Sequence, residues 1–138
     1  MGTAPDFAAW AVPDLVIPLG GRTYTVQPPS VGDMGKLLAC AVRGEVNLKL
    51  VKGPIPDEVQ EILDTIGPGE HPALGDTYTQ MVADGLHPTT IDRMAYYAIF
   101  YWARGKEYAD ALATLMFTPR DLDADSDESE GEPDPKGS

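Results

Sequence analysis

Ile91-Asp92-Arg93-Met94-Ala95-Tyr96-Tyr97-Ala98-Ile99-Phe100-Tyr101-Trp102-Ala103-Arg104 is the stretch that decides how this chain folds. Wound as a helix at about 100° per residue, it gathers Ile91, Met94, Ala95, Ala98, Ile99 and Trp102 on one face, an ordinary core stripe. Tyr96, Tyr97 and Phe100 fall on the opposite side, and Tyr101 lies between the two groups. A helix that is apolar all round is either central to its domain or part of a partner surface. On the first reading this helix is the hub of a small helical domain. On the second, Tyr96, Tyr97, Phe100 and Tyr101 line a groove for another protein, since aromatic side chains are the usual anchors of such surfaces.

The segments around it read as further helices. Pro88 or Thr89 starts the decisive helix, with Thr89 and Asp92 in capping-box-like spacing. Gly105 interrupts it, and a following helix carries Tyr108, Ala111, Leu112, Leu115 and Met116, with Pro119 beyond its end. On the N-terminal side, a helix within residues 72–84 carries Leu74, Tyr78, Met81 and Val82, and Gly85 is a natural residue to follow its end. Asp57 and Glu58 open another, with Val59, Ile62, Leu63 and Ile66, stopped by Gly67-Pro68-Gly69. Ser30 is an N-cap for a helix from about residue 31 to Val42, bearing Met34, Leu37, Leu38 and Ala41 and closed by Gly44. Residues 45–53 are compatible with strand or loop.

Before these helices stand two β-prone runs, Leu15-Val16-Ile17-Pro18-Leu19 and Arg22-Thr23-Tyr24-Thr25-Val26-Gln27, joined by Gly20-Gly21. A two-residue turn needs positive φ, which glycine supplies without strain, so the pair reads as a β-hairpin. Pro18 cannot donate a ladder hydrogen bond, which makes its strand an edge. A lone hairpin is marginal in water, so it has to pack on the helices. The predicted fold is mostly α (α+β): an N-terminal β-hairpin packed on a bundle of about five helices.

Composition sets the outer limits. The chain's 138 residues amount to one domain. The expected division is an irregular arm over 1–13, with Phe7 and Trp10 as anchors, a single domain over 14–118 and an acidic tail over 119–138. That tail holds eight acidic and two basic residues, a net of 2 − 8 = −6, against −12 for the whole chain. With Leu122 as its one large apolar residue, it cannot bury enough surface to offset the entropy of ordering, so disorder is expected. Nucleic-acid binding needs clustered Lys and Arg, and an anionic membrane surface needs the same. Neither partner is expected of a chain with 22 acidic and 10 basic groups. The single cysteine, Cys40, forms no internal disulfide, and the first ten residues lack the basic start and long apolar run of a signal peptide. A cytoplasmic protein is expected.

No catalytic constellation emerges, and an enzyme is not expected. There is no phosphate-binding loop and no dinucleotide fingerprint. His71 and His87 each precede a proline at a helix start, which accounts for them as loop residues. A metal site needs three or four ligands in supportive spacing, so neither metal nor cofactor is expected. Cys40 sits on the Leu37–Ala41 face as a small buried hydrophobe. The carboxylates between Asp121 and Asp134 lack the dry pocket that would separate two pKa values. They read either as a solubilising extension or as an electrostatic arm for a basic partner.

Taken in order, several of these segments resemble tail assembly chaperones from long-tailed phages of actinobacterial hosts. Leu15 through Tyr24 is similar to that family's N-terminal signature, and Val26-Gln27-Pro28-Pro29-Ser30-Val31-Gly32-Asp33 to the helix start that follows it. Leu74-Gly75-Asp76-Thr77-Tyr78-Thr79-Gln80-Met81-Val82-Ala83-Asp84-Gly85 resembles a further family stretch, as do the apolar helix and its Gly105-Lys106-Glu107 turn. The resemblance spans about residues 13–117. It departs at Ile91-Asp92-Arg93, where the family often has Trp, and over residues 45–56. It implies a protein encoded upstream of the tape measure protein, which it would hold soluble while the tail tube forms. Such a protein works in the host cytoplasm and is not expected in the mature virion. The resemblance also implies association with itself or with a longer form made by programmed frameshifting, with which a GAC-CCA-AAG codon run for Asp134-Pro135-Lys136 would be compatible. The rival readings are a structural or connector protein retained in the particle, a small enzyme and an acidic mimic of nucleic acid.

Overall fold

The computed structural model describes residues 2–119. The acidic tail expected over 119–138 therefore lies, but for Pro119, outside the described residues. The described residues fold into an N-terminal antiparallel hairpin and five α-helices, mostly helical as expected. Strands β1 (Leu15–Leu19) and β2 (Arg22–Val26) pair with Leu19 opposite Arg22 and Leu15 opposite Val26, so Gly20-Gly21 forms the turn. The helices are α1 (Val31–Asn47), α2 (Asp57–Leu63), α3 (Asp76–Ala83), α4 (Pro88–Arg104) and α5 (Lys106–Phe117).

Strand periodicity puts Leu15, Tyr24 and Val26 on the inner face, while Val16 and Thr25 point outward. The inner face packs against Leu37 of α1, Ala73 and Leu74, Met81 of α3, and Ile91, Met94 and Ala98 of α4. Polar bonds tie adjacent residues of β2 to the two ends of α3. Tyr24 donates its hydroxyl proton to Asp84 at 2.8 Å and accepts from Arg22 at 3.0 Å. Thr77 Oγ1 donates to the Thr25 carbonyl at 3.0 Å, which covers part of the outer edge of β2.

A second apolar cluster joins Ala41 of α1, Phe100 of α4, and Ala109 and Leu112 of α5. A third joins Ala39 and Cys40 of α1 to Leu63 of α2, with Ile99 of α4 packed against it. Helix α4 borders all three clusters and is the central helix of the domain.

Several local expectations change. Helix α1 does not stop at Val42 but continues through Gly44 to Asn47, so residues 45–47 are helical and 48–56 form the loop. Gly44 is not a terminator. A Cβ there would meet Phe100 Cζ and Tyr96 Oη at 3.0 Å, so the glycine lets α1 and α4 cross closely. Leu38 is exposed while Ala39 and Cys40 are buried, because α1 is covered on two sides. Helix α2 ends at Leu63, before Ile66, and Leu74 is buried in the turn ahead of α3 rather than on it. The cap of α4 is not a Thr89–Asp92 box. His87 Nδ1 accepts the Thr89 N–H at 3.1 Å, with Pro88 in the first helical turn.

Candidate partner-binding surfaces

The four aromatic residues singled out on α4 have different fates. Phe100 is 1% exposed and belongs to the core between α1 and α5, so it is not a groove anchor in this structure. Its burial follows from α5, which folds back along α4 and covers the side that a lone helix would leave open. Tyr96 lies half-buried over Gly44, 5.4 Å from Phe100 between ring centroids. Tyr97 and Tyr101 are half-buried and stack on each other at 6.2 Å. The Tyr97 hydroxyl donates to Asp110 of α5. Burial and that neighbouring carboxylate push the Tyr97 phenol well above its ordinary range. These rings therefore serve first to seat α5.

The α4–α5 seam is closed at its tip by a polar cluster that sequence reading missed. Glu45, 6% exposed at the end of α1, accepts from Arg104 Nε at 2.9 Å, Arg104 Nη2 at 2.8 Å and the Tyr108 hydroxyl at 2.8 Å. The two-pronged hydrogen bond from Arg104 holds the Glu45 carboxyl below the usual carboxylate range, against the opposing effect of burial. Asp110 is also depressed, by the Lys106 ammonium first and the Tyr97 hydroxyl second. The signal that could have found this cluster was an acid at helix spacing from Ala41 in a segment that read as strand or loop.

Of the exposed apolar side chains, two groups stand together on irregular segments. Asp6 caps a single 3-10 turn at Phe7–Ala9, and Phe7 and Trp10 pack edge to face at 5.1 Å. Both remain mostly exposed, Trp10 at 62%. After α1, Leu48, Leu50 and Val51 are exposed around Lys49, a non-glycine residue at positive φ (63°). Neither Lys49 nor Lys52 forms an ion pair among the described residues.

Two concavities flank α3. One, about 540 Å³, lies between the open end of the hairpin and the starts of α1 and α3, and is lined by Asp14, Asp33 and Asp76 and by no Lys, Arg or His. The other, about 260 Å³, is of mixed character, with Tyr78, Val82, Leu86 and Ile91 beside His71 and Asp92. His71 stacks on Tyr78 at 3.8 Å, and its burial lowers its pKa. Cys40 borders a third cleft of about 310 Å³, and burial pushes its thiol up, away from a nucleophilic thiolate. Among the described residues no group of three or more His, Cys, Asp or Glu is placed to hold a metal ion. No helix among them is long and apolar enough to cross a membrane.

Residues 5–138 match the model of a family described as a domain of unknown function, DUF7426. The comparisons with curated proteins and with solved structures found no match.

Proposed function

The chain belongs to the DUF7426 family, and we propose that it is a non-catalytic tail assembly chaperone that holds a phage tape measure protein in soluble form during tail assembly. One observation carries the reading: large apolar side chains stand exposed on a chain of net charge −12. Phe7 and Trp10 on the arm, and Leu50 and Val51 on the loop after α1, are apolar contact points that the core does not use. A partner with exposed helical apolar stripes can be covered by such points. The surplus of negative charge keeps the resulting complexes apart. The motif resemblance over residues 13–117 supports the same partner class.

Co-expression is the direct test. The tape measure protein is expected to be recovered in the soluble fraction with the wild-type chain, and less of it with the Phe7→Ala/Trp10→Ala double variant. Equal insolubility with and without a folded wild-type chain would sink the reading. Recovery of the chain from purified virions would favour a connector protein retained in the particle.

A further inference from the structure

The seam between α4 and α5 has the features of an exchangeable junction. A single residue, Gly105, separates the two antiparallel helices, whereas two to five residues usually join such a pair. Gly105 sits at φ 101°, ψ 167°, a region open essentially to glycine alone. Both hydrogen-bond ladders already meet at this residue. Its N–H donates to the Tyr101 carbonyl at 3.0 Å, and its carbonyl accepts from the Ala109 N–H at 3.1 Å. One change of φ and ψ at Gly105 would therefore fuse α4 and α5 into a continuous helix. Helix α5 is held mainly by α4 and the end of α1, the elements that form one groove. The helix's buried side chains are Ala109 and Leu112. Tyr108 and Met116 are only partly buried against them, and its other anchors are the Tyr108–Glu45 and Asp110–Tyr97 bonds and the Arg93–Phe117 contact at the rim.

We propose that two copies of this chain exchange α5 about Gly105, so that Ala109 and Leu112 of one copy fill the Ala41–Phe100 groove of the other. The occupant is a second copy because α5 is the segment that already fits this groove in size, apolar spacing and polar partners. The packing of Ala109 and Leu112 and the hydrogen bonds of Tyr108 and Asp110 form between chains just as they do within one, and the one-residue connection no longer has to reverse the chain. Reciprocal exchange gives a closed two-fold dimer rather than an open series. Short hinge connections are the setting in which such exchange occurs. The inference concerns self-association and does not depend on the identity of any other partner.

Gly105→Ala separates the two states. No atom lies within 4 Å of the position a Cβ would take, so the substitution acts through the backbone alone. Alanine is strained at this φ and ψ but favoured in a continuous helix, so the dimer's association constant should rise about tenfold or more. Light scattering behind size-exclusion chromatography, over a concentration series, reads this rise. A cross-link identifies the exchange. In a Cys40→Ala background, chains carrying Arg93→Cys are mixed with chains carrying Phe117→Cys and treated with a short bismaleimide. Arg93 lies over the Phe117 ring at 5.1 Å, so this link bridges α4 and α5. Interchain product well above that from Val31→Cys chains paired with Phe117→Cys chains is expected, because Val31 lies at the exposed start of α1. A Gly105→Ala chain that is monomeric throughout, or a dimer whose link does not exceed the control, overturns the proposal. Should Gly105→Ala not fold, the same cross-link with Gly105 intact, after incubation at high concentration, decides the matter by the same criterion.

Discussion

The two sides of α4 are held in different ways. Toward the hairpin, Ile91, Met94 and Ala98 meet Leu15, Tyr24, Val26, Leu37 and Met81 in the largest apolar cluster. Toward α5, Phe100 meets the small buried set Ala41, Ala109 and Leu112, ringed by partly buried Tyr96, Tyr108 and Met116, and charged groups close the rim. Apolar burial is indifferent to pH and only mildly sensitive to salt, whereas an ionised rim responds to both. The hairpin side should therefore behave as the stable body of the domain, and the α5 side as the part whose attachment can be tuned. Local opening free energies vary in this manner across many folds.

The largest expected effect comes from Phe100→Ala. Phe100 is the one large buried ring of the smaller cluster, so its removal should cost about 3–5 kcal/mol, read by urea unfolding. A cost within the range of surface substitutions would mean that α5 does not cover Phe100 in solution.

Glu45→Gln should cost less, about 2 kcal/mol at neutral pH, because Arg104 is one-third exposed and its share is screened by solvent. Its pH dependence is the sharper reading. Glu45 titrates below its unfolded value, so its contribution is complete above the ordinary carboxylate range and is lost as pH falls through the depressed folded value. The stability gap between wild type and Glu45→Gln should therefore close in that acid window. A gap independent of pH would show that the carboxylate acts by packing rather than by charge.

Trp10→Ala should have the smallest effect on folding, within about 0.5 kcal/mol, as for surface positions that touch no core. A larger loss, measured by thermal melting, would place the arm within the stable body and remove it as a contact point for a partner.

The hairpin and the α4 stripe were legible because each rests on local chemistry: Gly-Gly between β-branched runs, and apolar residues at helical spacing. Gly44 shows where such legibility fails. A glycine after an apolar helical stretch looks the same whether it ends a helix or allows another helix to approach. Tyr96 and Phe100, more than fifty residues away, settle which it is. Phe100 shows the same limit from the other side. A helical wheel puts it opposite the core stripe, and α5 turns that face into interior. Glu45 read as part of a strand or loop, and became a buried carboxylate once α1 ran on far enough to bring it to Arg104 and Tyr108.

The sequence by itself determined the hairpin, the five helical segments and the centrality of the Ile91–Arg104 stretch, because turn chemistry and apolar periodicity act over a few residues. The tertiary structure decided how far α1 runs, which aromatic rings are buried and where the ionised cluster closes the α5 seam. Those outcomes depend on which helix faces meet, and side chains distant in sequence set that together.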